Sequence, residues 1–422
     1  MLDIKFIRQN PDEIKKACAK KQAKIDIDRL LEIDKKRREL MLALEDTRAK
    51  KNKANEEIKQ LHEKADREAV IMKMRELDKN DDRIEAEFKE IDAEFQGLMS
   101  IIPNPPLDNV PEGKNESENK EIRKWGNIPK FDFVPKSHFE LGEALDLIDT
   151  QRAAKVSGTR FGFLKNEAVM LEMALLDLGF KTLIKKDFTP ILPPVMIRKD
   201  VLSGLGYNNN SFDETYCLDQ DNLCLVATAE HALVPYFKDE ILLETELPKR
   251  FVGFSSAFRR EAGSYGKDTK GILRVHQFNK LEMVSFTKPE DSEKELTFLL
   301  GIEEELMQSL NLPYHVVQMC TGDLGDPAAA KYDIEAWFPS ENKYRETHSA
   351  SNCTDYQSRR LNIRLRRKNG ELEFVLILNG TVFSERPILA ILENYQQKDG
   401  SVKIPDVLQK YAGFKKITKK GA

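Results

Sequence analysis

Between Pro11 and Pro103 the chain contains no proline and one glycine, Gly97. Apolar residues recur there at alternating spacings of four and three. In the first half they are Leu40, Leu44, Ala54, Ile58, Leu61 and Ala65, with Thr47 and Lys51 in the same register. In the second they are Leu77, Ile84, Phe88, Ile91, Phe95 and Leu98, with Asp81 interrupting. Two positions in seven make the narrow seam of a coiled coil, not the wider face of a globular helix. The pattern predicts two helices that turn near Ala65–Val70 and close as an antiparallel hairpin over about residues 29–100. At 1.5 Å per residue, helices of about 35 residues span about 50 Å. An arm of that length on a compact body suits a large partner.

The arm is divided by charge. Residues 1–60 carry 17 Lys/Arg against 12 Asp/Glu, and residues 61–100 carry 7 against 12. Opposite charges beside a seam fix helix pairing. A basic helix with Arg48, Lys50, Lys51 and Lys53 also offers phosphate contacts to a nucleic acid. Both roles are compatible, and charge alone does not choose between them.

The 422 residues predict two or three domains. No run of about 18 apolar residues occurs, so no membrane span is expected, and the N-terminus lacks a signal-peptide core. Cys18, Cys217, Cys224, Cys320 and Cys353 include no Cys-x-x-Cys pair, which argues against a zinc ribbon and a disulfide framework and for a reducing, cytoplasmic setting. Pro103, Pro105, Pro106 and Pro111 forbid helix, so residues 105–128 read as a linker between an N-terminal domain, 1–104, and a second domain, 129–422. Helical segments are expected at 138–154, 163–179, 229–240, 290–310 and 387–397. Strands are expected at Thr189–Leu192, Phe251–Phe258, Leu281–Phe286, His315–Met319, Ile334–Phe338 and Phe374–Leu378. Strands cluster without a regular βαβ alternation, which predicts an α+β fold with an antiparallel sheet. Neither common glycine-rich nucleotide loop is present.

Four stretches carry chemistry. Phe258-Arg259-Arg260-Glu261 ends a strand, runs into the polar loop Ala262–Asp268, and is followed by a strand from His276 through Phe278 to Glu282. An arginine there is a rigid fork for phosphate; Glu261 suits an adenine amino group and Phe278 a base ring. Glu346-Thr347-His348-Ser349 offers hard oxygen donors, Glu346 and Ser349, for Mg²⁺. Asn379-Gly380-Thr381 leads to Glu385-Arg386-Pro387, placing a second arginine at a helix start. Thr228-Ala229-Glu230-His231 precedes another short helix. Each alone also fits a structural role: a charged hairpin, a strand end, or a helix cap.

Their order and spacing together resemble the seryl-tRNA synthetases of bacterial type, class II aminoacyl-tRNA synthetases. Phe258–Glu261 with His276-Gln277-Phe278 resembles motif 2 of that class, Asn379–Glu393 motif 3, and Thr189–Val195 motif 1, the dimer-interface element. Thr228-Ala229-Glu230 resembles the serine-binding loop. The similarity runs from Met1 to Ile404-Pro405 and includes the hairpin, which matches the family's tRNA-binding arm.

The resemblance implies a tRNA-binding N-terminal domain and a class II catalytic domain whose antiparallel sheet is flanked by helices. It also implies a homodimer in which one subunit's arm serves the other's site. The activity would be serine–tRNA ligation: ATP and L-serine give seryl-adenylate and pyrophosphate, and serine then passes to tRNA-Ser, and to tRNA-Sec where present. By similarity Arg259 grips the α-phosphate and the serine carboxylate, and Arg386 the γ-phosphate. Arg260, Glu261, Val275 and Phe278 surround the nucleoside. The run Glu346, Thr347, His348, Ser349 lies at ATP, with Glu346 and Ser349 holding Mg²⁺. Thr228, Ala229 and Glu230 hold serine, while Glu282 and Thr381 read its hydroxyl.

Two departures stand out. Many relatives have Glu-[Ile/Val]-Ser-Ser where His348 follows Thr347 here. Bacterial relatives usually read Asn-Gly-Ser-Gly-Leu-Ala-Val-Gly-Arg; here Asn379–Arg386 is one residue shorter and two glycines poorer, and Val382 and Phe383 are expected to narrow the approach to adenine or serine. This motivates a second reading, a catalytically impaired paralogue that binds tRNA or another RNA. A third, a ligase that charges a carrier protein, conflicts with the intact arm.

Overall fold

The structure is a computed structural model that describes residues 2–61, 63–206, 214–262 and 271–419. It divides into two compact units, Met1–Ile102 and Pro103–Ala422.

In the first unit, helices α1 (Ile4–Gln9) and α2 (Pro11–Lys20) precede two long helices, α3 (Ile27–Gln60) and α4 (Lys64–Ser100). Asp26 caps α3 by accepting a hydrogen bond from Arg29 N at 2.9 Å. Ile7, Ile14, Leu30, Ile33, Phe95 and Met99 form the apolar base of the hairpin. The turn falls before Lys64, earlier than the expected 65–70, because the apolar phase runs through Leu61 and Ala65 without marking the break. The polar residues that interrupt the seam pair with each other: Lys51 Nζ lies 2.6 Å from Asp81 Oδ2 and 2.8 Å from Asp78 Oδ1. Arg29–Glu94, Lys36–Glu87 and Arg37–Asp92 also join the helices, each with its base on α3 and its acid on α4.

The second unit is built on an eight-stranded sheet. Its strands are β1 (Lys120–Trp125), β2 (Thr189–Ile191), β3 (Lys249–Phe258), β4 (Gln277–Thr287), β5 (Tyr314–Gln318), β6 (Ala330–Phe338), β7 (Lys343–Asn352) and β8 (Leu376–Ser384). The order is β1-β5-β6-β7-β8-β4-β3-β2, antiparallel except where β2 joins β3. One face is covered by α5 (Glu167–Ile184), α6 (Ser292–Ser309) and α7 (Arg386–Asn394), whose Leu171, Leu175, Leu299 and Leu389 join Met283, Ile334 and Leu378 of the strands in the main core. Close approach of α5 needs Gly179, where a Cβ would stand 2.7 Å from Leu281 Cδ2 and 2.9 Å from Val382 Cγ1.

Residues 105–128 are not a spacer but part of this unit. Asn104 N and Leu107 N donate to the Asp326 and Ala329 carbonyls, and 120–125 form the edge strand β1. Proline forbids helix there without forbidding an extended chain that bonds along the body. Cys217 and Cys224, cross-strand neighbours in a short hairpin, form a disulfide. This single local link differs from the expectation of unpaired cysteines.

Candidate active site

Strands β4, β8 and β7, with Lys331 of β6, present their remaining face to a cleft of about 270 Å³. Alternation along β4 sends Phe278, Lys280 and Glu282 into it, each two residues from the next. Arg259, one residue past β3, stays in the hairpin because its N–H donates to the His276 carbonyl at 2.9 Å. Its guanidinium lies 5.1 Å over the Phe278 ring and its Nε donates to the Ala227 carbonyl at 3.4 Å. Glu261 binds Arg274 across the hairpin. The loop Gly263–Asp268 lies outside the described residues.

Glu346 and Ser349 are three apart, which would put them on opposite faces of a regular strand. They share the cleft face because β7 carries a β-bulge: Ile334 pairs with His348 and Glu335 with Glu346, leaving Thr347 as the extra residue. A second bulge in β8 does the same. Leu281 pairs with Phe383 and Glu282 with Thr381, so Val382 is extra and both Thr381 and Ser384 line the cleft. Arg386 then opens α7 and donates through Nη1 to the Glu346 carbonyl at 2.9 Å, with Glu346 Oε2 at 3.0 Å.

Charge sorts the cleft into two ends. At the Glu346 end, burial pushes the carboxyl up, but Arg386 and Lys331 outweigh it and hold it down to about 2. The side chain is 45% exposed, so the two cations rather than burial decide its charge. Asp333, next to Ser349 in the register, is pushed up to about 6 by burial against the pull of Lys331. At the other end, burial pushes Glu230 up to about 7, opposed by a 2.9 Å hydrogen bond from Gln357 Nε2, while the nearby Glu282 raises it further. Glu282 is itself pushed up by burial against the pull of Lys280 and Arg259. Its Oε2 forms an ion pair with Lys280 Nζ at 2.6 Å. Two buried carboxylates and one ammonium leave this end suited to a small ligand bringing a cation and a hydroxyl.

Thr228, Glu230, Arg259, Glu261, Val275, Phe278, Glu282, Glu346, Thr347, Ser349, Thr381 and Arg386 all line this one cleft. Three of the expected site residues do not. Ala229 is fully buried beneath the Thr228 turn. Arg260 lies over Tyr216, 5.6 Å from its ring centroid. His348 is fully buried on the core face, because the bulge at Thr347 turns it away from ATP's expected position. Val382 and Phe383 also lie in the core and do not narrow the cleft. Lys280 and Lys331, which no stretch singled out, line it too, as do Asn379 and Glu385 of the third stretch. Period-two alternation from Phe278 and Glu282 would have found Lys280.

A Mg²⁺ ion at the Glu346 end fits the donor chemistry: one carboxylate held ionised and one hydroxyl, both oxygen, beside cations that would attract phosphates. Among the described residues no cluster of three or more His, Cys, Asp or Glu is poised to hold a metal. Mg²⁺ commonly takes only one or two protein carboxylates, with phosphates and water completing the shell.

Comparison with known proteins agrees with this geometry. Residues 1–106 match the seryl-tRNA synthetase N-terminal domain, and 215–395 the class II core domain shared by the G, H, P, S and T synthetases. The serine–tRNA ligase of Dictyoglomus turgidum is 43% identical over 100% of both chains. The chain belongs to the serine–tRNA ligases. Another member, from Treponema denticola, is 42% identical over 99% of this chain and 100% of its own. The crystal structure of the seryl-tRNA synthetase from Pyrococcus horikoshii complexed with ATP superposes with a TM-score of 0.90 at 41% identity, covering 99% of this chain and 100% of that one. The cytoplasmic enzyme from Naegleria fowleri in complex with AMP gives 0.85 at 32% identity, covering 100% and 99%. The family is one of ATP-dependent ligases, and the α+β fold with a helical hairpin is theirs.

Proposed function

We propose that this serine–tRNA ligase is catalytically competent and works within the single cleft on its sheet. The observation that carries the reading is convergence: Arg386 and ionised Glu346 meet at one end, Glu230 and Glu282 at the other, and Arg259 acts on both. In the first step a serine carboxylate oxygen attacks the α-phosphorus of ATP in line. An O–P bond forms, the bond to the bridging oxygen breaks, and pyrophosphate carries the electron pair away. Arg259, between the two ends, neutralises charge on both the attacking carboxylate and the α-phosphate. Arg386 holds the γ-phosphate, and Glu261, Val275 and Phe278 hold the nucleoside. In the second step a terminal ribose hydroxyl of tRNA attacks the adenylate carbonyl, loses its proton, and AMP leaves. No enzyme nucleophile is required; orientation and charge placement supply the rate.

Serine's ammonium belongs at Glu230 and Thr228, and its hydroxyl at Glu282 and Thr381. A buried carboxylate left without its hydroxyl penalises alanine and glycine; sites of this kind reject such analogues by about 10⁴–10⁵. Glu346 and Ser349 would hold Mg²⁺, which would supply positive charge to offset that of the phosphates.

The N-terminal unit, with Arg48, Lys50 and Lys53 exposed on α3, is the tRNA-binding part, reading the shape and backbone of tRNA-Ser and of tRNA-Sec where present. A homodimer is supported by Val169, Met170 and Met173, which expose a row of apolar side chains along α5, with Leu192 beside β2 exposed by 78%. No described helix is long and apolar enough to cross a membrane, and a cytoplasmic setting fits the family's work. The impaired-paralogue reading loses its motive, since Val382 and Phe383 face the core. Serine-dependent exchange of pyrophosphate into ATP tests competence: exchange is expected, and its absence with folded protein refutes this reading.

A further inference from the structure

The bulges of β7 and β8 meet behind the cleft, in the core. His348 sits behind the cleft with both ring nitrogens engaged. Nε2 lies 3.0 Å from the Val382 carbonyl, so Nε2–H donates to it, and Nδ1 lies 2.9 Å from Thr347 Oγ1. Val382 and Thr347 are the extra residues of the two bulges. A bulge leaves its additional residue outside the ladder, so its backbone carbonyl needs another partner when buried. Thr347 Oγ1 also reaches back 3.1 Å to the Ile334 carbonyl on β6. The imidazole ring, edge-on to Phe383 at 5.9 Å, fills the space between. An imidazole with one N–H donor and one bare acceptor nitrogen matches the two contacts. A serine at this position is too short to span them.

We propose that His348 is a positioning residue that ties the β7 bulge to the β8 bulge, and thereby aligns Glu346 and Ser349 with Arg386 across the cleft. The inference rests on the proposed roles of those three residues at ATP and Mg²⁺. His348 touches no substrate; it acts through the phase of the two strands. Glu282 and Thr381 pair before the β8 bulge, so the serine end of the cleft does not depend on this tie.

The test uses the full chain and serine-dependent pyrophosphate exchange, titrating ATP, Mg²⁺ and serine separately. His348→Leu keeps the bulk and removes both polar contacts. It is expected to raise KM for ATP and the Mg²⁺ needed for half activity by about tenfold, equivalent to about 1.4 kcal/mol, with KM for serine within about twofold. His348→Gln, whose amide N–H reaches as far as Nε2, is expected to restore most of the loss. Should the Leu variant fail to fold, His348→Ser carries the same expectation. An unchanged KM for ATP in a folded variant, or equal rises for ATP and serine, overturns the inference. Glu346→Ala separates the two levels. If it abolishes exchange while His348→Leu is normal, only the inference fails; if it leaves exchange intact, the reading of the metal end fails.

Discussion

Lys51 Nζ lies 2.6 Å from Asp81 Oδ2, and the pair fills the one gap both helices leave in the apolar seam of the arm. Hydrogen bonds donated to Asp78 and Asp81 raise the Lys51 ammonium to about 12, so it stays charged throughout the working range of pH. Lys51→Ala strands the buried Asp81 carboxylate. An unpartnered buried polar group costs about 1–3 kcal/mol, so the arm is expected to melt earlier than the body. Lys51→Met with Asp81→Leu is expected to recover that loss, because an apolar pair completes the seam. Calorimetry on both variants checks this; a single mutant that melts like the parent contradicts it.

Glu282→Gln keeps the shape of the hydroxyl pocket and removes its charge. It is expected to lower kcat/KM for serine by about 10²-fold, the size of a hydrogen bond to a charged group, and to leave KM for ATP within about twofold. Discrimination against alanine narrows in parallel. Exchange assays with serine and alanine read both effects, and undiminished discrimination would falsify the hydroxyl-reading role.

Glu230 gives serine binding a pH dependence. Burial pushes its carboxyl up to about 7, and the ammonium of serine binds the ionised form. As pH falls below about 7 the group must lose a proton to bind, so KM for serine is expected to rise by up to about tenfold per pH unit. Above that range KM levels off until the amino group of serine loses its own proton. Glu230→Gln is expected to abolish this low-pH limb; a limb that survives the substitution assigns it to another group.

Arg48 and Lys53 are exposed on the basic helix. Replacing both with alanine is expected to leave pyrophosphate exchange unchanged and to raise KM for tRNA, with the log–log salt slope of tRNA binding shallower by about 1–2. Binding measured across a salt series decides between this and a purely structural role for those charges.

The arm was legible in the sequence because its period is unmistakable over many turns. Its tip was not, since Leu61 and Ala65 keep the phase across the break. Five of the eight sheet strands carried apolar alternation strong enough to read, and β8 was legible only at its start. β7 did not read as a strand. Lys343–Asn352 is polar along the face that builds the cleft, so the alternation that marks an amphipathic strand was absent. The same polarity made Glu346 and Ser349 visible as candidates while hiding what holds them. The resemblance placed the whole run Glu346–Ser349 at ATP, His348 included, whereas one extra residue in the ladder reverses every side chain beyond it.

Among the described residues, the ion pairs that join the two long helices set a base on the outgoing helix of the arm against an acid on the returning one: Arg29 with Glu94, Lys36 with Glu87, Arg37 with Asp92, and Lys51 with Asp78 and Asp81. Two outgoing helices from separate molecules would bring like charges face to face along their whole length. The arm therefore closes its seam on itself rather than on its counterpart in a neighbouring copy.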